Sequence, residues 1–82
     1  MMKRQTLAIA DIYVPTKRRT ELDAAKVQVI AESMLEVGQQ TPILVRQDDQ
    51  RFVLIEGLHR LEACRQLGEK TIVGYLVQAR RH

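Results

Sequence analysis

Ile55-Glu56-Gly57-Leu58-His59-Arg60 is the stretch whose residue types and spacing suit chemistry. An apolar run from Phe52 to Ile55 meets a glycine, and a helical pattern starts at once. Glycine at such a junction lets a ligand approach the main chain closely. A helix start offers unpaired N–H donors and a partial positive charge, and both suit phosphate. His59 and Arg60 place two basic side chains in that same first turn. Cations there oppose the helix dipole, at roughly 0.3–1 kcal/mol each when charged. A local rule broken at a helix start is a common mark of function, and a bound anion would reverse the sign of each term. Arg60 could then fork two oxygens of one phosphate while His59 donates to another. In the competing reading both side chains point to water and Arg60 pairs with Glu56 or Glu62.

The other reactive residue types read as structural. Cys64 falls on the apolar face of the second helix, three residues from Leu61 and from Leu67, where a thiol is a core residue. As the single cysteine it excludes an internal disulfide and a cysteine-based zinc cluster. Asp48-Asp49 sits inside a turn and lacks the further ligands a metal site needs, so no metal site is expected. Ser33 has no histidine near it in sequence to act as a base.

These residues must be positioned by a small set of elements. Leu7 to Tyr13 is β-branched-rich and stops before Pro15, which predicts a strand over 7–13. Residues 15–22 read as a basic loop. Asp23 is an N-cap, and Val27, Ile30, Ala31, Met34 and Val37 follow helical spacing until Gly38 ends the run. Ile43–Arg46 and Phe52–Ile55 form a hairpin around Asp48-Asp49-Gln50. Leu58, Leu61, Cys64 and Leu67 mark a second helix stopped by Gly68, and Thr71–Val77 is the last strand. The order β-α-β-β-α-β gives an α+β fold. It fits a ferredoxin-like sandwich and other small α+β folds alike.

The chain has 82 residues, 45% of them hydrophobic, enough for one small domain, expected over 1–82. No apolar run approaches the ~18 residues of a membrane span. Met1 to Leu7 lack the features of a signal peptide, so the expected location is a reducing cytoplasm. The formal charge is +3. Residues 1–20 hold five basic residues against Asp11, and residues 21–82 hold eight against nine acidic ones. The surplus is therefore N-terminal, densest at Lys17-Arg18-Arg19. That cluster is either a nucleic-acid backbone contact or a solvated loop. Arg80-Arg81-His82 is a basic end, expected to fray.

With these pieces in order, the chain from about residue 7 to 78 resembles the ParB/sulfiredoxin superfamily. Leu22 to Val27 resembles its first helix. Gly38-Gln39-Gln40-Thr41-Pro42-Ile43-Leu44-Val45 resembles a ParB stretch ending G-x-x-x-P-I-x-V. Gly57, Arg60, Ala63, Leu67 and Gly68 match GxxRxxAxxxLG, and Thr71-Ile72 matches a following TIP, with Val73 in place of proline. The resemblance implies a small sheet domain with two main helices whose signature turn binds ATP, ADP or CTP, with Mg²⁺. It places Gly57, His59 and Arg60 on the phosphate-binding turn, Lys26 on a nucleotide-contacting lysine and Ser33 on a nearby hydroxyl position.

The departures shape the functional expectation. Leu58 stands where sulfiredoxin has its catalytic cysteine, and Cys64 lies too far along the helix to substitute, so sulfinic acid reduction is not expected. ParB proteins continue into a helix-turn-helix domain and a dimerisation tail, whereas this chain stops at residue 82, which counts against site-specific DNA reading. The expectation is a stand-alone bacterial nucleotide-binding module, linked to plasmid or chromosome partition. It would act on self-association (a homodimer), on a larger protein partner, or on DNA. Alternatives are a nucleic-acid binder or weak nuclease using Lys17, Arg18 and Arg19, and a small phosphotransferase or NTPase with Glu56 or Glu21 as the proton acceptor.

Overall fold

Leu7, Ile9 and Asp11 share one parity along the chain, so an uninterrupted strand over 7–13 would turn the Asp11 carboxylate toward the core. In the computed structural model the chain does not run straight there. Residues 2–38 and 41–77 are described, and the expected first strand is two strands separated by a 3₁₀ turn. Strand β1 covers Met2–Ala8, the turn Ile9–Asp11, and β2 Ile12–Tyr13. The turn shifts the buried positions from Leu7 and Ile9 to Ile12 and Val14 and leaves Asp11 exposed. Its Ile9 N–H donates to Lys70 O at 3.0 Å.

The 15–22 stretch, expected as a loop, contains a short helix α1, Thr16–Arg19. Helix α2 is Ala24–Val37, with the Asp23 carboxylate accepting from the Ala25 N–H and Gly38 at its C-terminal end. The hairpin is β3, Ile43–Asp48, and β4, Arg51–Glu56; helix α3, Leu58–Gln66, and β5, Thr71–Val77, follow.

The sheet order is β1-β5-β3-β4-β2. β1 pairs antiparallel with β5, and β3 antiparallel with β4, whereas β3–β5 and β2–β4 are parallel. The two halves of the expected first strand thus form opposite edges. This mixed pairing excludes the ferredoxin-like sandwich, whose sheet is antiparallel throughout. The helices cover one face of the sheet. Leu61 and Cys64 of α3 join Leu7, Ile12, Ile43, Val45, Leu54 and Ile72 in the main core. Val27 and Ala31 of α2 pack on Ala63 of α3 in a second cluster. Among the described residues no helix is long and apolar enough to cross a membrane.

The junction between β4 and α3 is the tightest point. Gly57 has φ +109°, and a Cβ built there would lie 2.6 Å from Ile43 Cγ2 and 2.9 Å from Ile43 Cβ. The side of Gly57 on which a Cβ would stand is therefore filled by the protein's own β3. Gly57→Ala would combine backbone strain of ~1–3 kcal/mol with overpacking of ~1–3 kcal/mol. Gly68, at φ +79° with nothing within 4 Å of a built Cβ, carries the strain alone, ~1–2 kcal/mol. Urea unfolding of Gly57→Ala and Gly68→Ala should therefore show the larger loss at Gly57; equal losses would contradict the close approach to Ile43.

Candidate phosphate site at the start of helix α3

Two helix starts meet beside Gly57. The first backbone bond of α3 runs from Leu61 N–H to Gly57 O, 2.9 Å, so the N–H groups of Leu58, His59 and Arg60 open the helix. Gly57 has no side chain to cap them, and the first turn of α3 holds no acidic residue. The start of α2 differs, because the Asp23 carboxylate accepts from Ala25 N–H at 2.9 Å. One helix start has its anion built in and the other has none.

His59 ties the two together. Its Nε2 accepts from the backbone N–H of Asp23 at 3.0 Å, across 36 residues of sequence. A nitrogen that accepts carries no proton, so the neutral ring holds its proton on Nδ1. His59 was expected to donate to phosphate. Its Nε2 is committed to the protein's own backbone, and Nδ1–H remains as its donor.

Arg60 is half-buried and makes no side-chain hydrogen bond or ion pair among the described residues. The pairing with Glu56 or Glu62 does not form, since Glu62 lies 4.0 Å from Arg65 instead. Lys26 stands in the first turn of α2. With His59, Ala25, Val29 and Ile30 it lines a cavity of about 340 Å³ with largely apolar walls. Lys26 and His59 thus border one apolar recess, and Arg60 follows His59 in the first turn of α3.

The remaining candidates scatter. Ser33 is exposed on α2, one turn beyond Val29 and Ile30. Glu56 is exposed at the end of β4, across from Leu44. Glu21 lies 3.9 Å from Arg18 and, with Pro15, Lys17 and Arg18, lines a separate depression of about 430 Å³. Arg19 turns away from that depression: its Nε donates to Val14 O at 3.2 Å, and it borders a cleft with Leu58, Glu62 and Arg65. Lys17-Arg18-Arg19 therefore does not present one surface. Cys64 is fully buried. Arg80, Arg81 and His82 lie outside the described residues.

Two features escaped the sequence reading. Asp23 was read as a cap only, and its N–H proved to be the partner of His59. Val29 was assigned no role, although an apolar residue off the core-facing stripe of α2 was a signal; it is 66% exposed at the cavity.

Comparison with known proteins places this geometry. The model of the ParB N-terminal domain matches residues 2–81. The chain belongs to the ParB N-terminal domain family. It is 34% identical over 62 residues to a probable chromosome-partitioning protein ParB of Campylobacter jejuni, covering 76% of this chain and 22% of the relative. The chain therefore spans about a fifth of that protein. Sulfiredoxin from Arabidopsis thaliana superposes with a TM-score of 0.84 at 30% identity, over 94% of this chain and 86% of the other. C-terminally truncated ParB from Caulobacter crescentus, complexed with CTP-γ-S, gives 0.76 at 20%, over 98% and 46%. A free serine kinase in complex with ADP gives 0.79 at 16%, over 90% and 30%. The ParB/sulfiredoxin likeness read from the sequence is borne out, and so is the small α+β sheet domain.

The bond between His59 and Asp23 has a direct readout. Long-range ¹H–¹⁵N NMR should find Nε2 unprotonated and Nδ1 protonated. His59→Ala should speed hydrogen exchange at the Asp23 amide, with a stability loss of about 0.5–1.5 kcal/mol. A protonated Nε2 in the neutral ring would rule the bond out.

Proposed function

We propose that this chain is a nucleotide-binding module of the partition-protein type that seats nucleotide phosphates at the start of α3. The observation that carries this is the asymmetry of the two helix starts. The N-terminus of α2 is capped by Asp23, whereas that of α3 begins at Gly57, which has no side chain to cap it; Lys26 and His59 border one recess there, and Arg60 has no side-chain partner among the described residues. In this reading Arg60 forks two phosphate oxygens, and the N–H groups of Leu58 to Arg60 and Nδ1–H of His59 donate to others. Lys26 adds a charge from the facing helix, and Ser33 lies further along it. The recess of Ala25, Val29 and Ile30 takes the base or ribose by apolar contact. Mg²⁺ belongs to the nucleotide's phosphates. The CTP-γ-S and ADP complexes of the similar structures support a nucleotide as the ligand. ATP, ADP and CTP are the candidates.

The same reading makes the module a switch rather than a reductase. With Leu58 at the turn and Cys64 sealed in the core, no thiol stands beside the phosphate seat. Nucleotide binding bridges α2 and α3, so it would bias self-association or the docking of a protein or DNA partner in the cytoplasm.

A thermal-shift panel of ATP, ADP and CTP with Mg²⁺ tests the seat. Nucleotide at a hundred times its Kd adds about 2.7 kcal/mol, and a domain of this size gains roughly 4–8 °C per kcal/mol. Arg60→Ala should abolish the shift and Lys26→Ala should reduce it. An absence of any shift at millimolar nucleotide would count against the reading.

A further inference from the structure

Both tyrosines of this chain lie on the sheet face opposite the helices, interleaved with arginines. The pairing register shows how. Leu7, Ile43, Val45, Leu54 and Ile72 face the core, so the alternate side chains face the other way. One row across the strands is Arg4–Tyr75–Leu44, on β1, β5 and β3. The adjacent row is Arg46–Val53–Tyr13, on β3, β4 and β2. Arg51 adds its guanidinium over the Tyr13 ring, 4.0 Å from the centroid. Arg4, Arg46 and Arg51 are exposed, and Tyr13 and Tyr75 half-exposed. The acidic groups on these strands are Asp48, 3.8 Å from Arg51, and Glu56, across from Leu44.

We infer that this open face binds single-stranded nucleic acid, with bases stacked on Tyr13 and Tyr75 and the backbone phosphates on Arg4, Arg46 and Arg51. Every base has a π-face, so an aromatic platform suits unpaired bases without sequence choice, whereas bases inside a duplex are already stacked. β5 and β2 are three strand spacings apart, about 14 Å, so the rings meet different nucleotides of one strand. The guanidinium on Tyr13 extends the stacking surface. Charge decides the occupant. A second copy of the chain laid on this face would set three arginines against three, while a phosphate backbone complements them. The face is on the opposite side of the sheet from Leu61 and Cys64 of α3, and the inference uses none of the residues of the nucleotide reading.

The chain has no tryptophan, so its intrinsic emission comes from Tyr13 and Tyr75. Titration with oligothymidine of about 12 nucleotides should quench that emission. Anisotropy of a labelled copy should show tighter binding than to the matching duplex. Tyr75→Ala should weaken binding roughly 5- to 100-fold, with Tyr75→Phe retaining it. The exposed Arg46→Ala should lower the salt slope by about 0.7, a readout that stands even if Tyr75→Ala fails to fold. Tyr75→Ala should leave any nucleotide-induced thermal shift unchanged, and Arg60→Ala should leave oligothymidine binding unchanged. The inference is overturned by absence of binding, by duplex binding as tight as single strand, or by binding without tyrosine quenching. It is equally overturned if Lys17→Ala/Arg18→Ala removes binding that Arg46→Ala leaves intact, or if sedimentation shows a dimer whose formation alone quenches the tyrosines.

Discussion

The contact between Gly57 and Ile43 sets the position of everything near the candidate site. The main chain at Gly57 passes so close to β3 that a Cβ has no space, and it does so in a left-handed conformation. Only glycine meets both conditions at low cost. The contact delivers the first turn of α3 to the sheet and turns Leu61 and Cys64 into the core. The three N–H groups at the helix start precede the first helical bond, and Gly57 has no side chain to cap them. Packing against Ile43 is by itself enough to require glycine here.

His59 then joins the second helix to the first. Its ring nitrogen holds the N–H of Asp23, and the Asp23 carboxylate caps α2 from the same residue. One short segment therefore satisfies one helix start and orients the imidazole at the other. Surface ion pairs such as Arg18–Glu21 and Arg65–Glu62 add little to stability, since exposed pairs are worth about 0–1 kcal/mol. Their effect is on availability. They occupy Arg18 and Arg65, while Arg60 stays without a partner among the described residues.

The sheet has two unlike faces, and the division of labour follows from its pairing. The helix-side face carries the aliphatic core, and the one phenylalanine packs against it. The opposite face carries the tyrosines, whose hydroxyls tolerate water, with Tyr13 and Arg46 flanking the buried Val53 in register and Arg51 over the Tyr13 ring.

Much was legible in the order of residues. Asp23 and Gly38 bounded α2 because capping is chemistry between neighbours, and the hairpin around Asp49 and the glycine-opened α3 were read for the same reason. The family resemblance, carried by motifs of fixed local spacing, was equally legible. The break at Ile9–Asp11 left a trace in the parity of Asp11 with Leu7 and Ile9, yet a β-rich run concealed it. The placing of β1 and β2 at opposite edges, the bond from Asp23 to His59, the recess beside Lys26 and the meeting of Tyr13 with Arg51 belong to the tertiary structure alone. Each joins residues far apart in the chain. Propensity, capping and periodicity act over a few residues, whereas which strand lies beside which is decided by the burial of one shared core.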